Sequence, residues 1–136
     1  MNDIQLAKAL GWFSIGLGAI EFLAPRRMRR ELGLRRSSAF VRAFGAREIA
    51  AGAAILTYPD ASGPVWARIA GDALDLLVLA EAVRSPRNGD RSAPTVASLA
   101  VLGVTVLDVV CAVALTRRNT AVREAAQRAR IAHAPS

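Results

Sequence analysis

The chain has 136 residues, of which 53% are apolar, and a mean hydropathy of +0.30, which makes it one domain and too hydrophobic for disorder. Its formal charge of +7 rests on 18 basic residues, all arginine except Lys8. They fall in blocks between apolar runs, with almost no aromatic or lysine interleaving, which argues against a nucleic-acid partner. One cysteine, Cys111, and one histidine, His133, exclude an intrachain disulfide and supply too few ligands for a zinc or haem site, so neither metal nor cofactor is expected.

Four apolar segments follow in order, about residues 4–24, 40–58, 65–83 and 94–116. Each is near the ~20 residues an α-helix needs to cross ~30 Å of hydrocarbon. The expected fold is all-α, a four-helix transmembrane bundle over 1–116, with a polar basic tail over 117–136. The first segment is expected to be retained rather than cleaved. Its leading region has only Lys8 set against Asp3, and "EFLAPRR" puts a glutamate and a proline where small residues should lie. Gly11, Ser14 and Gly18 form one stripe along it, and Ala43, Ala46, Ala50, Ala53 and Ala54 crowd the second. Such small residues read as packing surfaces, because in lipid it is close backbone approach that holds helices together. Glu21 ends the first stripe and is expected to pair with Arg26, Arg27 or Arg42.

Pro25 ends the first helix, and "PRRMRRELGLRRSS" then reads as an arginine-rich loop. Its Arg26, Arg27, Arg29, Arg30, Arg35 and Arg36 suit anionic lipid headgroups, at ~1 kcal/mol per basic residue near a charged surface. "YPDASGP" makes a turn before the third segment, and "SPRNGDRSAP" separates the third from the fourth. "TVASLAVLGVTVLDVVCAVAL" has one charge in 21 residues and is the clearest span. With Arg84, Arg87 and Arg91, the first and third connections hold nine arginines. The other side has six basic residues, Lys8 and Arg117, Arg118, Arg123, Arg128 and Arg130 in the tail. This weighting places the first and third loops in the cytoplasm and both termini outside an inner-membrane, multi-pass protein.

The charges within the apolar segments mark the candidate site. At mid-bilayer each costs ~2.5 to 3.5 kcal/mol on insertion scales, so they must face an interior and find partners. Arg68, Asp72 and Asp75 share a stripe about 60° wide on a helical wheel. Counted from the arginine-rich ends, Arg47 and Glu48 lie seven and eight residues deep from Phe40, and Asp75 lies eight from Val83. Asp72 is eleven deep, Asp108 fourteen from Pro94 and Arg68 fifteen, so Arg47 should meet Asp75 while Arg68 meets Asp108. Glu81 falls off the stripe and close to the helix end, where it can snorkel or pair with Arg84, and is expected at the interface. Two arginines then face four carboxylates, and the excess of two negative charges calls for protonated carboxyls or a bound cation. An ion-paired core that only fixes helix register is the plainer alternative.

"GWFSIGLGAIEFLAP", "RAFGAREIAAG" and "WARIAGDALDL" resemble small four-helix bacterial integral membrane proteins of unknown function, a fold also found ahead of START-like "cyclase/dehydrase" domains. The resemblance spans about residues 9 to 83, carried by Gly45 to Glu48 and the acids after Gly71. It implies a fold and a membrane habitat without an established chemistry. Any role that depends on a START-like domain would fall to a partner.

Three functions remain open on these residues. Arg47, Glu48, Arg68, Asp72, Asp75 and Asp108 could bind a proton, a cation or a small ligand, within a homo-oligomer or with a membrane partner. A small membrane enzyme, an isomerase or cyclase on a lipophilic substrate, could use Asp72 or Asp75 as acid and Asp108 or Glu48 as base. An accessory membrane subunit would need no chemistry at all.

Overall fold

The computed structural model describes residues 1–134 and is all-helical: α1 (Asp3–Leu23), α2 (Pro25–Glu31), α3 (Ser38–Thr57), α4 (Ser62–Arg84) and α5 (Ser92–Ala132). Local chemistry sets the ends. Asn2 and Gln5 form a capping box at the start of α1, each accepting the other's backbone N–H, at 2.8 and 3.1 Å. Pro25 bars Ala24 from helical geometry (φ −125°, ψ 48°), so α1 stops there, and the same proline serves as the first residue of α2. Ser37 caps α3 by accepting the Phe40 N–H at 3.1 Å.

Two boundaries differ from the sequence expectation. The first arginine-rich connection is not simply a loop but contains the seven-residue α2. The fourth helix does not end near Thr116: α5 continues to Ala132 as a single rod of 41 residues, because Ala, Arg, Gln and Glu after Thr116 are all strong helix formers. This stretch stands exposed beyond the bundle, and residues 135 and 136 of the expected tail lie outside the described residues.

The helices form two antiparallel pairs, α1 against α3 and α4 against α5. In the first pair Gly11 faces Gly52, Ser14 faces Glu48 and Gly18 faces Gly45. The contact is backbone on backbone: a Cβ added to Gly18 would lie 2.5 Å from the Gly45 carbonyl oxygen, and one on Gly52 would lie 2.5 Å from that of Gly11. The α1 stripe is thus a packing surface as read, but its counterpart on α3 runs through Gly45, Glu48 and Gly52 rather than through the alanines. Ala43, Ala46, Ala50 and Ala53 are exposed.

The bundle buries charged groups between apolar clusters and exposes large apolar ones. Apolar clusters close the two ends, Ala7, Leu10, Ile55, Val65, Cys111, Ala112 and Leu115 at one and Leu34, Val41, Leu79 and Ala82 at the other. Between them the buried side chains include Ser14, Glu48, Arg68, Asp72 and Asp108. The outside carries large apolar groups, with Trp12 66%, Leu77 69% and Leu99 64% exposed. α1 and α5 are long and apolar enough to cross a membrane. α3 and α4 have 20 and 23 residues, a sufficient length, but more charge: Arg42, Arg47 and Glu48 in one, Arg68, Asp72, Asp75, Glu81 and Arg84 in the other.

Candidate functional site

The charged layer lies where the two helix pairs meet. Arg68 of α4 is its hub: Nε donates to Asp108 Oδ2 of α5 at 3.0 Å, Nη1 donates to the Leu10 carbonyl of α1 at 3.0 Å and stands 3.8 Å from Glu48 Oε2 of α3. One guanidinium therefore touches the other three long helices. The Phe13 ring covers it, with the guanidinium carbon 5.5 Å from the ring centroid. Arg47 forms the second node, donating from Nη2 to Glu48 Oε1 at 2.7 Å and to Asp75 Oδ2 at 2.9 Å, with the Phe44 ring 5.0 Å away. Both pairings expected from depth counting, Arg47 with Asp75 and Arg68 with Asp108, are present.

Glu48 is the most fully engaged acid. Ser14 Oγ lies 2.6 Å from its Oε2 and 2.7 Å from its backbone carbonyl, so one hydroxyl proton serves both across the α1–α3 contact. Asp72 is buried with Thr105 Oγ1 3.1 Å from its Oδ2, and it lies beside Asp108, whose Oδ1 is buried without a donor. Thr105, three residues before Asp108 and so on its face of α5, was legible as a partner from that spacing. The Leu10 carbonyl was not, since any backbone oxygen reads alike in sequence.

Carboxylate oxygens of Glu48, Asp72 and Asp75 lie within 4.8 Å of one another, the spacing of a cation site. Arg47 already bridges Glu48 and Asp75, so the chain supplies its own cation there and the donor set does not fit a resident metal.

Two acids find surroundings other than the arginines near them in sequence. Glu81 pairs with Arg36, 2.7 Å from its Nη2, rather than with Arg84, because the α2–α3 connection folds across the end of α4. Glu21 reaches none of Arg26, Arg27 or Arg42. It turns inward instead, its Oε2 buried with no donor, where α1 packs against Gly45 of α3. Glu21 and Asp75 are the two carboxyls in the wall of an otherwise apolar cavity of ≈110 Å³, lined also by Leu17, Phe40, Phe44 and Leu79. Of the four acids considered for catalysis, only Asp75 lines it. Glu48, Asp72 and Asp108 lie in the layer behind.

The surface arginines divide. Arg35 donates to the Ser85 carbonyl and hydroxyl at 2.8 and 3.0 Å, and Arg36 is held by Glu81. Arg26 and Arg27 are exposed, whereas Arg29 is partly buried and donates to Ser38 Oγ at 3.3 Å.

No family model, curated protein or solved structure matches the chain.

Proposed function

We propose that the protein is a four-span membrane bundle that binds a small lipophilic cation, such as a protonated amine, between Glu21 and Asp75. The observation that carries this reading is the Glu21 oxygen buried without a donor in an apolar cavity that also holds Asp75. A buried carboxylate without a hydrogen-bond donor is costly, and a ligand N–H supplies the missing donor. The hydrocarbon walls suit the rest of an amphiphilic molecule.

The buried charges and the exposed apolar groups support membrane insertion. Arg68 and Asp108 are 2% and 0% exposed while tryptophan, leucine and valine cover the outside, an arrangement stable where the surrounding solvent is hydrocarbon. In this reading α1, α3, α4 and α5 span and α2 lies at one boundary. This agrees with the resemblance to small four-helix bacterial membrane proteins. The arginine-rich connections meet at one end of the bundle, which the positive-inside bias places in the cytoplasm.

Charge balance favours a cation. Glu21, Glu48, Asp72, Asp75 and Asp108 face only Arg47 and Arg68 in the interior. A proton held between the adjacent Asp72 and Asp108 satisfies the orphan Asp108 oxygen, and the ligand offsets the charge at the cavity.

The test uses the full chain in detergent micelles and phenethylamine as probe, with phenylacetate as its anionic counterpart. Saturable binding of the amine, weakened at least tenfold by Glu21→Gln or by Asp75→Asn and absent for phenylacetate, is expected. Equal binding of both probes, or an unchanged amine affinity in both variants with helicity retained, would sink the proposal. A reporter active only in the cytoplasm, fused after Ser136, should be silent. Activity there overturns the orientation.

A further inference from the structure

We propose that α2 and the α4–α5 connection together form a discrete binding site for a phosphate group, built by Arg26, Arg29, Arg30 and Arg87. These side chains, with Gly33 and Asn88, line a pocket of ≈300 Å³ at the arginine-rich end of the bundle. Among the described residues no carboxylate lines it. Glu31, next in sequence to Arg30, is exposed and outside the wall, and Asp90 spends its carboxylate on Ser92.

The pocket is held together by neutral hydrogen bonds rather than by charge. Arg26, Arg29 and Arg30 stand at spacings of three and four on α2, hence on one side of it. The Asn88 side-chain amide donates to the Arg30 carbonyl at 3.1 Å, and the Arg87 N–H donates to the Gly33 carbonyl at 3.1 Å. Gly33 has φ +62°, and a Cβ there would meet Asn88 Oδ1 at 2.8 Å, so this join requires glycine. These bonds bring Arg87 to the arginines of α2 although some fifty-seven positions separate Arg87 from Arg30.

Four arginines lining one pocket without an acid repel one another unless an anion joins them. Arg29 carries a further mark of such a ligand: its Nε is buried and has no acceptor among the described residues. A phosphate oxygen supplies one, and the planar fork of arginine matches phosphate in two-point contact. The lining leaves the rest of the ligand undefined, so a phospholipid headgroup and a soluble phosphate share this chemistry. The site stands whether or not the cation cavity does.

The test measures binding of the purified full chain to inorganic phosphate in micelles, and to phosphatidylcholine vesicles with and without phosphatidylglycerol. Arg87→Ala and Arg29→Gln are compared with Arg27→Ala, an exposed arginine of α2 outside the pocket. If the source is lipid, phosphatidylglycerol vesicles bind, Arg87→Ala and Arg29→Gln each lose about tenfold in affinity, and Arg27→Ala loses little. If the source is soluble, inorganic phosphate binds saturably with the same ranking of variants. The proposal is overturned if neither probe binds, or if Arg27→Ala costs as much as Arg87→Ala, which would indicate diffuse surface charge. Arg87→Lys guards against misfolding: at a two-point site it restores only part of the affinity, and full restoration also overturns the proposal.

Discussion

Arg68 Nε stands 3.0 Å from Asp108 Oδ2, and both side chains are buried almost completely. This bond joins α4 to α5 at a point where each helix is otherwise apolar outward, so it sets their register. Removing one partner leaves the other's charge buried and unpaired. Arg68→Met is therefore expected to cost about 3 kcal/mol or more in thermal unfolding of the detergent-solubilised chain. The double variant Arg68→Met/Asp108→Leu should recover most of that loss, since two apolar groups need no partner. A double variant as unstable as the single would show that the bond to the Leu10 carbonyl, rather than the ion pair, dominates.

The α1–α3 contact makes a sharper steric prediction. At Gly18 a Cβ meets the Gly45 carbonyl, a backbone atom that cannot rotate away, whereas at Gly16 nothing lies within 4 Å. Gly18→Ala should then destabilise by ~1–3 kcal/mol through overpacking. Gly16→Ala should be neutral or stabilising by up to ~1 kcal/mol, as alanine is the better helix former. Denaturation midpoints of the two variants, two positions apart on the same helix, provide the comparison. Equal effects would mean that the helices do not meet along this stripe.

Gly71 leaves the room that the Arg47 guanidinium fills. A Cβ there runs into Arg47 Nη1, and the arginine, being flexible, yields before the helix does. Gly71→Ala should keep the fold but displace the guanidinium from Asp75. With that positive charge moved away, phenethylamine should bind severalfold more tightly at the cavity. Weaker binding would show that Arg47 holds Asp75 in place for the ligand rather than competing with it.

Asp90 gives the pH dependence of one helix start. Its Oδ1 accepts from the Ser92 hydroxyl at 2.7 Å and from the Ser92 N–H at 2.8 Å, and these bonds hold its carboxyl below the usual value. A carboxyl lowered in the folded state stabilises above its unfolded value, near 3.8, and loses that contribution as pH falls through the folded value. The Ser92 amide resonance should therefore move only in acid, below pH ~4. Asp90→Ala should abolish that titration and fray the first turn of α5, while Asp90→Asn, which keeps an acceptor, should abolish the titration without the fraying.

Much of this architecture was legible before any coordinates. Four runs of apolar residues bounded by proline, glycine and arginine specify four long helices, and connectivity alone fixes relative depth, since each residue advances a helix by 1.5 Å. That is why the levels of Arg47 with Asp75 and of Arg68 with Asp108 could be read from residue counts. Short-range signals of this kind are written in the chain itself.

Azimuth and lateral neighbours were not so written. Glu21 has basic residues close in sequence, yet the tight glycine contact between α1 and α3 turns it into a cavity away from them. Glu81 has Arg84 three positions on, yet the folding of the α2–α3 connection delivers Arg36. Arg87 joins the arginines of α2 only because two hydrogen bonds, one from the Asn88 side-chain amide and one from the Arg87 backbone N–H, clasp distant connections. Composition and periodicity determined which residues lie in helices and how deep the charges sit, because those follow from local backbone geometry. Which carboxyl remains without a donor was decided by tertiary packing, because partner choice depends on how closely backbones approach and on where each helix is turned.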